Sequence, residues 1–209
     1  EFTTWSIPGA ASLFGTTIDQ AGTVWLSQFS DPEVYRFTVA SGELCTYTVG
    51  TSGGSDYIVV DSSDVWLGDW IGNSVRRLEG DSGVLTSWAL PTSPGGYSPR
   101  PEGLAVAGER HVWWADSDRH HLARLEPDES RLTAYRLPWG SQPRMVTVSG
   151  ERLWYTEDAR GSVGRLDLAQ ASGSSQTIVS ETTTLTPTCA QISPDATGML
   201  TTTTGTAQW

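Results

Sequence analysis

Lysine is absent from this 209-residue chain: all 13 basic residues are arginine, set against 24 carboxylates for a net charge of −11. A surface so weighted repels phosphate backbones, which excludes nucleic acid as a partner class and favours a cation or a basic partner. No apolar run approaches the ~20 residues that a membrane helix requires, so no helical membrane span is expected. Helical periodicity is scarce as well. The segments between Gly, Pro, Asp and Ser are short and alternate apolar with polar residues, the pattern of an all-β protein. Cysteine is limited to Cys45 and Cys189. The two could pair in a secreted protein, but they fall on different types of strand in the repeat described next, so two separate buried thiols are expected.

Tryptophan, by contrast, is abundant, and its spacing is informative. An apolar residue followed by Trp occurs as Val24-Trp25, Val65-Trp66, Val112-Trp113 and Leu153-Trp154. Eleven residues after each Trp stands an arginine: Arg36, Arg77, Arg124 and Arg165. Eleven beyond the first three arginines comes an aromatic: Tyr47, Trp88 and Tyr135. A fixed offset held this often marks an internal repeat. Each unit reads as four strands. The first ends at Ile18, Val60, Val106, Val148 or Ile192, the second carries the Trp, the third the Arg, and the fourth closes on Leu-Pro as in 85–91 and 132–138. Proline suits that closing position because a ladder N–H is no longer needed.

Repeats of this kind pack radially as the blades of a β-propeller. The expected fold is all-β, a single propeller of five four-stranded blades over residues 10–49, 54–91, 101–138, 143–181 and 187–209. Residues 1–8, with Phe2-Thr-Thr-Trp5-Ser-Ile-Pro8, read as a fourth strand without its own first three, so the N-terminus is expected to complete the last blade. Seven such blades would need about 290 residues. The Ser/Thr-rich stretch from Ala171 to Thr186 departs from the repeat and reads as a flexible or O-glycosylated segment or a weak edge blade.

The repeated Trp is expected to pack between blades, and the repeated Arg to pair with carboxylates between blades or to reach the rim. Trp70, Trp114 and Trp139 break the pattern and read as exposed contact surfaces. In an antiparallel blade the start of the first strand is level with the end of the second. Three residues after each Trp come Gln28, Asp69, Asp116 and Glu157; Asp56, Glu102 and Arg144 stand at the start of first strands. Together these form a polar, mainly acidic ring at one mouth of the channel. Convergent carboxylates suit Ca²⁺ or Mg²⁺, and a carboxyl pair can act as acid and base. The competing reading is a solvated mouth in which Arg144 neutralises Glu102 or Glu157. The loop from Asp116 to His121 holds two carboxylates and two imidazoles, a transition-metal set only if all four aim at one point; a polar surface loop is expected.

The units 151–167 (Glu-Arg-Leu-Trp-Tyr-Thr-Glu through Val-Gly-Arg-Leu-Asp) and 99–106 (Pro-Arg-Pro-Glu-Gly-Leu-Ala-Val) resemble the repeats of the virginiamycin B lyase (streptogramin lyase) family and of NHL-type propellers. The resemblance implies a propeller throughout. For members with lyase activity it implies Mg²⁺-dependent opening of cyclic depsipeptides by elimination, using His and Glu. The histidines here, His111, His120 and His121, all lie in the third unit, and the first-strand starts hold Phe14, Asp56, Glu102, Arg144 and Thr188. No catalytic residue is therefore assigned. The expected function is a non-catalytic, secreted binding or structural propeller that uses its acidic face for a small ligand, a cation, a protein partner or self-assembly. The alternatives are a divergent Mg²⁺-dependent lyase or hydrolase in the acidic mouth, a carbohydrate-binding propeller, and a cytoplasmic location.

Overall fold

A computed structural model describes residues 2–29, 31–50, 55–92, 98–108 and 110–195, without the side chains of Ser55 and Asp56. The described residues form four antiparallel sheets. Strands β1 (Leu13–Ile18), β2 (Val24–Gln28), β3 (Glu33–Thr38) and β4 (Glu43–Thr48) make the first sheet. The second holds β5 (Ser55–Asp61), β6 (Asp64–Asp69), β7 (Ser74–Glu79) and β8 (Val84–Ala89). The third holds β9 (Pro101–Ala107), β10 (His111–Asp116), β11 (His121–Glu126) and β12 (Arg131–Arg136). The fourth has three strands: β13 (Pro143–Ser149), β14 (Arg152–Glu157) and β15 (Ser162–Asp167). The first strands β1, β5, β9 and β13 pack side by side in that order, so each sheet is a propeller blade with its first strand innermost.

The eleven-residue offset is a hairpin register. Trp25, Trp66, Trp113 and Trp154 lie directly opposite Arg36, Arg77, Arg124 and Arg165. Each guanidinium stands over its partner indole, at 5.9, 5.7, 5.4 and 5.9 Å from the ring centre. In the second and third blades the same guanidinium also covers the fourth-strand aromatic, Trp88 or Tyr135, and the two rings stack on each other at 5.5 and 5.3 Å. The arginines were expected to find carboxylates between blades or to reach the rim. Three of them pair with carboxylates of their own blade, Arg77 with Asp64 and Glu79, Arg124 with Glu126, and Arg165 with Asp167, while Arg36 donates to Gly80 O of the second blade at 3.2 Å. Opposed positions on adjacent strands of one sheet are closer than positions on neighbouring sheets about 10 Å apart.

Alternation along each strand sends side chains into two different blade interfaces, so both faces are apolar. On β6, Val65 and Leu67 join Trp25 and Tyr47 between the first and second blades. Trp66 points the other way, joining Trp88, Trp114 and Leu125 between the second and third. Trp113 and Tyr135 pack on Val146 and Leu153 of the fourth blade. Trp154 has no blade beyond it among the described residues and is 36% exposed, against 1, 0 and 2% for Trp25, Trp66 and Trp113.

The last described segment departs from the expected fifth blade. After β15 the chain runs back along the outer rim. β16 (Ser174–Thr177) adds to β12, β17 (Ser180–Thr184) adds to β8, and β18 (Thr188–Gln191) adds to β4. The Ser/Thr-rich stretch is thus a strap laid over the outer edges of three blades. Its hydroxyl side chains suit strands that face solvent, and it pairs backbone groups that an edge would leave open. Thr188 to Ile192, read from the sequence as an innermost strand, is on the outermost position instead. The second and third strands expected for that blade lie in 196–209, outside the described residues. Residues 2–8 form no strand; Trp5 and Ile7 pack on Phe37 and Leu44 of the first blade. The expectation of separate thiols is also overturned: Cys189 faces Cys45 across the β18–β4 pair and the two form a disulfide. The strap brings together two strands that the repeat alone placed apart.

Candidate functional site

All four innermost strands carry a bulge at the same place: between Leu13 and Thr16, between Ser55 and Tyr57, opposite Trp113–Ala115, and between Pro143 and Val146. Extra residues here break the two-residue alternation and re-aim side chains at the end of the strand. Phe14, Asp56, Glu102 and Arg144 all sit at or beside these bulges. In β9 the bulge needs Gly103, whose φ is +54° and whose Cα lies where an added Cβ would meet Arg144 O at 2.5 Å.

The ends of the second strands are level with the starts of the first, as expected: Gln28, Asp69, Asp116 and Glu157 pair with Leu13, Ser55, Pro101 and Pro143. All four polar side chains are buried, but each is engaged by its own blade. Gln28 Oε1 accepts from the N–H groups of Ala11 (2.9 Å) and Ser12 (3.3 Å), and its Nε2 donates to the Tyr35 hydroxyl at 2.8 Å. Asp69 accepts from Gly72 N at 2.7 Å and is ion-paired to Arg76. Asp116 accepts from Arg100 N at 3.4 Å and faces Arg119 at 3.6 Å. Glu157 accepts from Ser162 Oγ at 2.6 Å and stands 3.9 Å from Arg160. These residues fasten the turn between second and third strands and the entry to the first.

Such bonding does not suit a divalent cation. Among the described residues the one group of acidic, His or Cys ligand atoms close enough to share an ion is Glu43, Cys45 and Cys189, where the two sulfurs are bonded to each other. The carboxylates and imidazoles of 116–121 do not converge. His120 packs on Trp139 at 4.6 Å and its Nδ1 accepts from Gln142 N, while His121 turns into the gap between the second and third blades.

What does converge at the axis is a closed circuit of rings and charges. Phe14 packs on Tyr57 (5.7 Å) and on Phe29 (5.8 Å), and Phe29 reaches Trp70 (6.4 Å). The Arg100 guanidinium lies 5.1 Å over Trp70 and pairs with Glu102 at 2.7 Å. Glu102 stands 3.5 Å from Arg144, which is hydrogen-bonded to Tyr57. Burial pushes the Glu102 carboxyl above the usual range although Arg100 and Arg144 oppose it. The Tyr57 hydrogen bond and Glu102 raise Arg144 further and keep it charged. Phe14, Phe29, Arg100 and Arg144 remain open to solvent on this face.

Of the sequence candidates, Glu102 and Arg144 belong to this circuit. Gln28, Asp69, Asp116 and Glu157 border it as structural fasteners, and the Asp56 side chain lies outside the description. Sequence reasoning passed over Phe29, Tyr57 and Arg100. A signal existed for one of them: Phe29 and Trp70 both stand four residues after a repeated Trp. Of the Trp residues read as surface, Trp139 is 79% exposed, Trp70 is half-buried, and Trp114 is fully buried between blades. Trp114 fails as a surface residue because the second blade's face covers the alternate position on β10.

The family model of the virginiamycin B lyase family matches residues 1–200. The chain belongs to that family. A virginiamycin B lyase from Nocardia farcinica is 23% identical over 188 residues, 74% of this chain and 66% of that protein. Among solved structures, a catalytically inactive His-to-Ala virginiamycin B lyase from Staphylococcus aureus with quinupristin superposes with a TM-score of 0.71 at 20% identity. It covers 85% of this chain and 59% of its own. A streptogramin B lyase structure gives 0.69 at 23% identity, covering 84% and 58%. The chain thus spans 66% of the length of that curated relative and 58–59% of the two solved ones, and at these identities the solved structures establish the propeller fold.

Proposed function

We propose that this chain is a binding propeller whose axial mouth takes a ligand with an aromatic or aliphatic face and acceptor groups. The circuit of Phe14, Phe29, Trp70, Tyr57, Arg100, Glu102 and Arg144 carries the reading. Open aromatic faces beside partly exposed guanidinium groups favour such ligands over metal ions or nucleic acids. Quinupristin, the ligand of the Staphylococcus aureus structure, is the first probe. Titration followed by tryptophan fluorescence is expected to saturate. Trp70→Ala and Arg144→Ala each weaken binding at least about tenfold, which is about 1.4 kcal/mol. Saturable binding that both variants leave unchanged, or no binding of any cyclic depsipeptide, overturns the reading.

A second reading, ring-opening elimination, rests on Glu102, whose buried carboxyl stands between Arg100 and Arg144 at this mouth. A carboxylate there could take a proton next to an ester while the C–O bond breaks, leaving an acid and an alkene with no change of mass. Chromatography of the recovered ligand separates the two readings. Secretion fits the disulfide, since such bonds persist in oxidising compartments. A protein partner or a second copy fits the face of the fourth blade that no other described residue covers, where Trp154 and Val163 are exposed.

A further inference from the structure

Among the described residues the fourth blade stops one strand short. β15 pairs with β14 on one side and with no described strand on the other, whereas β3, β7 and β11 each have a fourth strand beyond them. Val163 is 66% exposed, while Val34, Val75 and Leu122, at the same position on those three strands, are at 0%. Trp154 carries Arg165 over its ring but has no fourth-strand aromatic like the one that shares the arginine in the second and third blades.

A matching strand sequence stands at the other end of the chain. Thr3-Thr-Trp5-Ser-Ile-Pro8 repeats the pattern of Thr86-Ser-Trp88-Ala-Leu-Pro91 and Thr133-Ala-Tyr135-Arg-Leu-Pro138. Its packing agrees. Trp88 and Leu90 close the second blade against Val112, Trp114, Leu125 and Leu132 of the third. Trp5 and Ile7 lie in the same way on Val24, Leu26, Phe37 and Leu44 of the first. Residues 2–8 thus hold the place of a fourth strand in front of the first blade, with no described strand of their own blade beside them. Trp5 is only half-buried there, against 3% exposure for Trp88 and 5% for Tyr135. One chain does not join its two ends: β1 packs on β5 and β13 on β9, but β1 and β13 make no comparable packing with each other.

We propose that residues 2–8 of one copy of this chain complete the fourth blade of a second copy, adding to the free edge of β15 with Trp5 against Trp154. An unpaired edge accepts a strand through main-chain hydrogen bonds, and the side-chain positions beside it select which strand. In the complete second blade Val75 faces Trp88 and Arg77 faces Thr86. The same register sets Trp5 opposite Val163 and Thr3 opposite Arg165. Head-to-tail contacts of this kind close into rings, and propellers hold about 4–8 blades. With four blades per chain, two copies that exchange their first strands make a ring of eight. The exchange does not depend on what the axial mouth binds.

Sedimentation equilibrium of the full chain, from micromolar to millimolar concentration, is expected to show a reversible two-chain species. Val163→Glu, at a position exposed in the single chain, should leave the dilute chain folded and weaken association at least about tenfold. Trp5→Ala should weaken it to a similar extent. In the dissociated chain Trp154→Ala costs little stability, and its effect appears in association. A mixture of Val163→Glu and Trp5→Ala chains retains one intact strand and one intact edge, so it is expected to associate where neither variant does alone. If Trp5→Ala does not fold, Val163→Glu alone decides. A chain that stays monomeric throughout, association that Val163→Glu leaves unchanged, or no recovery in the mixture of folded variants each overturns the proposal. The last result would mean that two fourth-blade faces meet without exchanging strands.

Discussion

Cys45 and Cys189 face each other on neighbouring antiparallel strands, joined by a disulfide across a sequence separation of 144 residues. The bond ties the outermost strand of the first blade to the end of a strap that has already crossed the third and second blades. The second, third and fourth blades and most of the strap therefore lie inside one covalent loop, while β1 to β3 of the first blade lie outside it.

Opening that loop frees the unfolded chain. Cys189→Ser, or reduction of the native protein, is expected to lower stability by about 2–4 kcal/mol. Amide protection at 188–191 should fall while protection in β7 is retained. Urea unfolding with and without reductant, together with hydrogen exchange, checks both; equal stability in the two states contradicts the role given to the strap.

Trp66 and Trp154 hold the same repeat position in different surroundings. Trp66 is enclosed by the third blade, so Trp66→Ala is expected to cost about 3–5 kcal/mol. Trp154 faces no further blade among the described residues, and Trp154→Ala should cost under about 2 kcal/mol. Denaturant midpoints decide. Equal losses would mean that the outer face of the fourth blade is covered in solution.

Burial raises the Asp116 carboxyl to about 6, against the attraction of Arg119. The folded chain then holds this proton more tightly than the unfolded chain does. Stability is expected to rise as pH falls from about 6 toward 4, by up to about 3 kcal/mol from this group. Burial acts in the same direction on Asp69 and Glu102. Asp116→Asn should flatten the rise in urea midpoints measured between pH 4 and 7; an unaltered slope would place the origin elsewhere.

Gly103 couples the third blade to the fourth. With φ at +54° and an added Cβ 2.5 Å from Arg144 O and Met145 Cα, Gly103→Ala must move β13 or distort the bulge. A loss of about 1–3 kcal/mol is expected. Ligand affinity at the axial mouth should fall with it, because Arg144 sits on the displaced segment. Retained affinity with lowered stability would show that the Glu102–Arg144 pairing does not contribute to binding.

The sequence by itself determined the repeat, the all-β class and the stacking of blades, because these follow from local alternation and from hairpin register. A Trp eleven residues before an Arg is its cross-strand partner whatever lies beyond the blade. The same logic placed Glu102 and Arg144 at the axis, since the level of strand ends follows from antiparallel pairing. Only the tertiary structure decided the path of 174–191. Its Thr and Ser residues fit an innermost, an outermost or an unpaired strand equally well, and the open edges of β12, β8 and β4 resolved the choice. That path in turn joined Cys45 to Cys189. The bulges that turn Phe14 and Arg144 toward the centre, and the burial of Trp114 behind a neighbouring blade, likewise depend on contacts between units that no single repeat encodes.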